Sequence, residues 1–263
     1  MKVHEIIKHI ENVAPLAVAA PWDNSGMQVA AVQDEVSHVA AMLDPTPLMV
    51  AKALDMGADF ILSHHPLAMK ARMPDTLDEF HAVLRLLFSH DVPLYSAHTS
   101  LDANLHGPAA WLAEAFSLSD RRCLEQVAEH PAGEPHYGFG IAGALPAPLS
   151  YAAFTEKLSA ALGKPAWRAS GEKPATVARV AYCPGSGESM IPAAAALRAD
   201  VYITGDVKYH AALETPIRVL DVGHFILEEA MMRRFAEILR ASLEPVRVSF
   251  IEADDPFIFE GIA

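Results

Sequence analysis

The sequence predicts an α/β fold made of two similar lobes that share a site between them. Strand-like and helical patterns alternate along the 263 residues, as in folds that layer helices on a sheet. A pattern in the first half recurs in the second, and histidine and acidic residues follow several predicted strands. We therefore divide the chain into a first lobe, residues 1–125, and a second lobe, residues 126–263.

The first half alternates between amphipathic helices and short, largely apolar strands. In chain order, the predicted elements are a helix over Val3–Val13, a strand over Ser37–Leu43, a helix over Pro47–Met56, a strand over Asp59–Ser63, a helix over Leu77–Ser89, a strand over Val92–Ser96 and a helix over Pro108–Phe116.

The stretch Gln126–Pro148 is rich in Pro, Gly and His, so we expect it to join the halves, with one strand near Tyr137–Ala142. The alternation then resumes. Its predicted elements are a helix over Tyr151–Leu162, a strand over Ala178–Tyr182, a helix over Ile191–Arg198, a strand over Val201–Thr204, a strand over Arg218–Asp221, a helix over Phe225–Leu239 and a strand over Val246–Phe250.

One sequence pattern occurs in both halves. The pair Ala-Asp, an apolar run, a small polar residue and a polar turn appear in Gly57–His65 and again in Arg198–Asp206. Each copy is preceded by a similar strand, in Val36–Asp44 and in Val177–Gly185. Duplication would place equivalent strand ends opposite each other, with a site between the halves. The alternative is the general likeness of any two α/β units.

Composition limits the classes of function. The formal net charge is −13 and 52% of residues are hydrophobic, so a basic patch for nucleic acid is not expected. We find no signal-peptide core and no apolar run of about 18 residues, which predicts no membrane partner. Cys123 and Cys183 read as isolated thiols. A cytoplasmic location is the expectation.

Two segments pair a histidine with a carboxylate four residues later, His98 with Asp102 and His224 with Glu228. Each follows a strand-like run, and four residues make about one helical turn, so each pair can share a helix face. The alternative for the second pair is a hydrogen-bonded helix start capped by Asp221 or Glu228. In the first pair, Asp102 is the better candidate ligand, whereas His98 could orient a ligand or move a proton.

The adjacent histidines His64 and His65 end a buried strand, where ligands of open α/β sheets commonly lie. Neighbours on a strand point to opposite faces, so they suit two neighbouring ions, or one ligand and one residue that orients it. Three imidazoles and two carboxylates favour Zn, Mn, Fe or Co over Mg or Ca. Five side chains leave positions open for water, as in a catalytic site with two divalent metal ions.

Five ordered motifs together resemble the Nif-three-like family, whose members are often labelled GTP cyclohydrolase I type 2 homologs. The resemblance extends over most of the chain. The motifs are Ala20–Val29, Ser63–Leu67, His98–Asp102, Thr204–Asp206 with His210, and Asp221–His224 with Glu228.

The resemblance implies a dinuclear metal site enclosed by two α/β lobes. Its implied ligands are His64, His65, Asp102, His224 and Glu228. Glu228 would bridge, with His65 and Asp102 on one ion and His64 and His224 on the other. The family also implies a ring-shaped homohexamer, and the short form of the chain with no inserted middle domain.

The chain departs from the family pattern at Pro66–Met69, and it carries Ser25 and Met27 in the motif around Trp22–Asn24. These changes concern the pocket wall more than the ligands. The motif around Trp22 could line the site or cap a turn.

Two further groups leave alternatives open. Gly185–Gly187 could be a phosphate-binding or a plain turn. The residues that follow the strand equivalent to the one before His64 could contact substrate or begin a solvated helix; they are Asp206, Lys208, Tyr209 and His210.

These observations predict a metal-dependent hydrolase acting on a nucleotide or a related small molecule through metal-activated water. We assign catalytic roles to His98, which would move protons, and to Glu228. The alternative is a non-catalytic protein that binds or delivers metal, for which the same ligands would serve.

Overall fold

Two β-sheets with helices around them form the computed structural model, which describes residues 1–128 and 137–258. The described helices are α1 (Val3–Val13), α2 (Pro47–Asp55), α3 (Glu79–His90), α4 (Thr99–Asp102), α5 (Trp111–Ala115), α6 (Tyr151–Leu162), α7 (Ile191–Ala196), α8 (Tyr209–Glu214) and α9 (His224–Ser242). The described strands are β1 (Gly26–Val29), β2 (His38–Met42), β3 (Phe60–Ser63), β4 (Leu94–Ser96), β5 (Ser119–Ala128), β6 (Tyr137–Ser150), β7 (Arg168–Ser170), β8 (Thr176–Ser186), β9 (Val201–Gly205), β10 (Arg218–Asp221) and β11 (Arg247–Phe250).

The first sheet has the strand order β1-β4-β3-β2-β11, and the second has the order β5-β6-β8-β9-β10-β7. Three consecutive strands are parallel in each sheet, β2-β3-β4 and β8-β9-β10. Strand β11 adds a fourth parallel strand to the first set, which has antiparallel β1 at its other edge, whereas antiparallel β6 and β7 flank the second set on both sides. The predicted α/β class is confirmed.

The two parallel units share a local feature as well as a topology. Asp59 accepts hydrogen bonds from the backbone N–H groups of Ser37 and His38. Asp200 does the same for Ala178 and Arg179 in the second sheet. A carboxylate just before the second strand therefore fastens the start of the first strand in both units, which supports internal duplication.

Helix α9 lies between the sheets and contacts β2 and β11 of the first and β8 and β9 of the second. Its buried Met231 and Phe235 belong to the core of the first sheet. Leu227, near its start, belongs to the core of the second. Because the helix packs against both sheets, the residues that follow β10 have a fixed position between them.

The stretch between the halves differs most from the sequence expectation. We expected a joining segment with one short strand, but β5 and β6 form a long antiparallel pair. We predicted a loop here because the stretch is rich in proline and glycine. The pairing of β6 with β8 is irregular between Ala144 and Leu149, where two prolines lack N–H groups. Part of the predicted Gln126–Pro148 segment, residues 129–136, lies outside the described residues.

Smaller differences concern boundaries and short elements. Helix α3 begins at Glu79, because the Asp78 side chain caps it by accepting from the N–H of His81. The short strands β1 and β7 were not predicted. Strand β5 runs across residue 125, and β11 joins β2 in the first sheet; the lobe boundary itself stays a prediction. No helix in the described ranges is long and apolar enough to cross a lipid bilayer.

Candidate metal centre

The five predicted ligands meet where the carboxyl ends of the two sets of parallel strands face each other. His64 and His65 directly follow β3, and Asp102 ends the short helix α4 after β4. His224 and Glu228 lie in the first turns of α9, after β10. The Nε2 atoms of His65 and His224 are 3.4 Å apart, so the two sheets contribute to a single cluster.

Glu228 lies at the middle of this cluster. Its Oε2 atom is 2.8 Å from Nε2 of His224 and 3.1 Å from Nε2 of His65. Its Oε1 atom is 3.6 Å from Nε2 of His64, which is 3.9 Å from Oδ1 of Asp102. The distances group His65 with His224 around one carboxylate oxygen and His64 with Asp102 around the other. The resemblance implied a different split.

Three buried polar atoms in the cluster have no hydrogen-bond partner, namely His64 Nε2, Asp102 Oδ1 and Glu228 Oε2. His64 is fully buried and Glu228 is 4% exposed. Buried polar atoms in folded proteins are almost always satisfied. A set of imidazole nitrogens and carboxylate oxygens that converge without partners fits a transition-metal ion.

Each histidine ligand is oriented through its other ring nitrogen. Nδ1 of His64 is 2.9 Å from the carbonyl oxygen of Ala97. Nδ1 of His65 is 2.7 Å from Asp44, and Nδ1 of His224 is 2.7 Å from Asp206. An acceptor at Nδ1 places the proton there and leaves the Nε2 lone pair for a metal.

A glycine with left-handed backbone covers the carboxylate. Gly185 has φ of 62°. A Cβ added there would overlap Oε1 of Glu228 and come within 3.4 Å of Nε2 of His224. The turn over Gly185–Gly187 thus packs against the predicted ligands, and the Gly187 N–H donates to Thr204 Oγ1.

The pKa values of the cluster indicate that it favours a bound proton or another cation. Burial opposes protonation of His65, but Asp44 and Glu228 outweigh it and raise its pKa to about 10. The pKa of His224 rises to about 9 because Glu228 and Asp206 likewise outweigh burial. Burial would raise the pKa of Glu228, yet the surrounding histidines hold it well below its usual range. Protons or metal ions can meet this demand, and they compete for the same nitrogens.

His98 approaches the cluster from the first lobe. One ring nitrogen each of His64, His65 and His98 lies within 4.8 Å of the other two. Nδ1 of His98 is 2.6 Å from Oδ1 of Asp23. The motif around Trp22 therefore lies beside the site. Asp23 contacts a site histidine, and the ring of Trp22 lies edge-on to that of His98, with 6.1 Å between the ring centroids.

The two histidine-acid segments are not equivalent in register. The N–H of Ala97 donates to the Ser63 carbonyl, and the N–H of Val222 donates to the equivalent Thr204 carbonyl. Ala97 therefore matches Val222, and His98 matches Gly223, the residue before α9, rather than His224. Equal spacing in sequence thus hides a shift of one residue in structure.

Two carboxylates of the site, Asp206 and Asp44, differ from the sequence predictions. The role of Asp206 was undecided, and no role was predicted for Asp44. Asp44 follows β2 in the first sheet and Asp206 follows β9 in the second, and each of these strands belongs to the parallel set of its sheet. The sequence contained a signal for both carboxylates, since each follows a strand of a parallel set. Lys208 and Tyr209 instead begin α8, where the Lys208 N–H donates to Glu188 and Tyr209 is 74% exposed.

A cavity of about 680 Å³ opens beside His65 and His224. Leu43, Phe225 and Phe257 give it apolar walls. Its basic side chains are already paired: Lys164 with Asp255, and Arg168 with Asp221. The volume is that of a pocket for a small molecule.

Comparison with known proteins identifies the family. The family described as Duf34/NIF3 (NGG1p interacting factor 3) matches residues 1–256. The chain belongs to the DUF34/NIF3 family. Among its members, the GTP cyclohydrolase 1 type 2 homolog of Clostridium perfringens is 30% identical over 98% of this chain and 100% of its own length. A protein with the same name from Methanocaldococcus jannaschii is 30% identical over 93% of this chain and 97% of its own length.

Solved structures agree on the fold. A Bacillus cereus protein related to NIF3 has a TM-score of 0.84 at 22% identity, covering 98% of this chain and 99% of its own. Reduced HcgD from Methanocaldococcus jannaschii has a TM-score of 0.79 at 29% identity, covering 95% of this chain and 97% of its own. The whole described chain therefore has the arrangement of the NIF3 family.

Proposed function

We propose that this protein is a dinuclear metal-dependent hydrolase that acts on a nucleotide or a related small molecule. The observation that supports it is that three buried atoms without hydrogen-bond partners belong to one cluster of five potential ligands between the sheets; they are His64 Nε2, Asp102 Oδ1 and Glu228 Oε2. Histidine and carboxylate donors suit Zn, Mn, Fe or Co.

The distances favour one assignment of the ligands. His65 and His224 would hold one ion together with Glu228 Oε2, and His64 and Asp102 would hold the other together with Glu228 Oε1. Glu228 would then bridge, because its two oxygens face different pairs. A two-metal site supplies an activated water and polarises a substrate oxygen.

The protein's own residues would bind and orient the substrate and move the proton. The cavity beside His65 and His224 has apolar walls for a planar ring. His98 would take a proton at Nε2 from the attacking water while the water oxygen bonds to the substrate. The imidazolium would then return this proton to the leaving group.

Two findings bear on the substrate class. Curated relatives are named GTP cyclohydrolase 1 type 2 homolog, and the cavity suits a small molecule. Incubation with GTP and other nucleotides, with Zn, Mn, Fe and Co in turn, should give turnover that Glu228→Ala abolishes. The absence of turnover under all of these conditions would contradict the hydrolase.

The same experiment addresses metal delivery. A hydrolase should retain its ions against a weak chelator during turnover, whereas a carrier should release them to an acceptor without any turnover. His4→Ala is a suitable control, since it removes an exposed histidine on α1 that lies outside the five ligands.

We also propose a ring-shaped homohexamer, as the resemblance implies, and a cytoplasmic location, as the sequence composition predicts. Large apolar side chains that an assembly could cover include Leu77, which is 87% exposed, and Phe88, which is 65% exposed. Light scattering of the purified protein should give six chains per particle, and a monomer would contradict this assembly.

A further inference from the structure

A buried carboxylate lies against His98. The side chain of Asp23 is 0% exposed, and its Oδ1 atom is 2.6 Å from Nδ1 of His98. Because a carboxylate only accepts hydrogen bonds, the imidazole nitrogen that faces it carries the proton. His98 therefore has its lone pair on Nε2.

The same carboxylate is fixed by several other donors. Oδ1 also accepts from the N–H of Asn24 at 2.7 Å. Oδ2 accepts from Ser25 Oγ at 2.6 Å, from the N–H of Thr99 at 3.1 Å and from Thr99 Oγ1. Asp23 has hydrogen bonds on both oxygens, so its position is determined by the backbone at residues 24 and 99 and not by His98 alone.

This pair differs from the other two carboxylate–histidine pairs of the site. Asp44 and Asp206 are 43% and 48% exposed, so water can reach them and replace either bond. Water cannot reach the side chain of Asp23. A hydrogen bond lost there must therefore be replaced by His98 or by the neighbouring donors.

We propose that Asp23 is a positioning residue, which holds His98 in the tautomer with the proton on Nδ1 and the Nε2 lone pair free to accept a proton at the metal centre. The use of this lone pair rests on the proposed hydrolase. The tautomer rests only on the geometry around Asp23.

The substitution Asp23→Asn makes the inference testable, because the amide can be placed in two ways. With its NH₂ group at the Oδ2 position, it would oppose the Thr99 N–H donor, and the two hydroxyl donors, Ser25 Oγ and Thr99 Oγ1, would have to rotate to accept from it. With NH₂ at the Oδ1 position, it keeps those three donors satisfied and opposes only the Asn24 N–H. The second placement is therefore preferred, and it donates to Nδ1 of His98 and moves the histidine proton to Nε2.

Neutron diffraction from deuterium-exchanged crystals reads the tautomer directly. We expect deuterium on Nδ1 of His98 in the wild type and on Nε2 in Asp23→Asn. Ser25→Ala is the matched control, since it removes a donor to Oδ2 and should leave deuterium on Nδ1. Deuterium on Nε2 in the wild type, or on Nδ1 in Asp23→Asn, would overturn the proposal; the wild-type result does not depend on the folding of any variant.

A double-mutant cycle separates positioning from a purely structural role. Asp23→Asn should lower kcat about as much as His98→Ala, roughly 10²-fold or more for the loss of a general base, with metal content unchanged. In the His98→Ala background, Asp23→Asn should lower kcat no further. Equal losses in both backgrounds would show that Asp23 acts on the fold alone.

The two proposals can fail separately. If no nucleotide is turned over but the deuterium moves as expected, the hydrolase is wrong and the positioning by Asp23 stands. If turnover occurs and the deuterium stays on Nδ1 in Asp23→Asn, the hydrolase stands and the role of Asp23 is wrong.

Discussion

The two ends of the metal centre differ in how they are held. At one end, His64 is fully buried and its Nδ1 donates to a backbone carbonyl. At the other end, His65 and His224 border the cavity and are oriented by the half-exposed Asp44 and Asp206. One end of the metal centre is therefore built into the core of the first lobe, whereas the other end is open to ligands and solvent.

Loss of Glu228 should have the largest effect, because this residue serves both ends. Glu228→Gln keeps the size of the side chain but removes the charge that faces three imidazoles. We expect nearly all bound metal to be lost, measured by elemental analysis after dialysis. Glu237→Gln, an exposed change on the same helix, should leave metal content unchanged. Full metal content in Glu228→Gln would refute the bridging role.

Gly185→Ala should come next, since it acts on the same carboxylate through space. The new Cβ would overlap Glu228 Oε1 and would also require a left-handed backbone, which costs roughly 1–2 kcal/mol for a residue other than glycine. We expect loss of metal and a lower melting temperature of the metal-free protein. Gly163→Ala is a control, because Gly163 has φ of 63° with no atom within 4 Å of its added Cβ. Equal metal content in both variants would contradict the contact.

Comparison of His64→Ala with His224→Ala tests the difference between the ends directly. Each should remove a ligand, but His64→Ala should also destabilise the metal-free protein, by roughly 1–3 kcal/mol, because it leaves a buried carbonyl without its donor. His224 is 32% exposed, so its loss should cost less. Urea denaturation with metal removed measures both. Equal losses of stability would show that the ends are held alike.

The smallest effect should follow from changes behind the ligands. Asp206→Asn and Asp44→Asn remove the carboxylates that orient His224 and His65. We expect each to weaken metal affinity roughly 10–100-fold, with no change in fold. Titration with a competing chelator measures the affinity, and an unchanged value would mean that water takes over the role of the carboxylate.

The fold and the candidate ligands could be predicted from sequence to different depths. Strand ends and their polar residues were visible, because a buried strand followed by histidine is a local pattern, as at Phe60–His65. Asp44 was missed because its role depends on a hydrogen bond across 21 residues. Asp23 was undecided because 75 residues separate it from His98.

The antiparallel pair of β5 and β6 shows a second limit. Its prolines and glycines have the local preferences of a loop, yet pairing with β8 outweighs them. The shift between His98 and His224 shows a third, since spacing counts residues but does not fix where a helix begins.

The position of β11 has a consequence for synthesis. This strand covers one edge of β2, whose five residues are all buried, yet it follows the other described strands of both sheets in the chain. Until it arrives, the first sheet has an open apolar edge, the kind of surface that pairs with other chains. The edge of the first sheet is therefore closed only after all described strands of the second sheet have been synthesised.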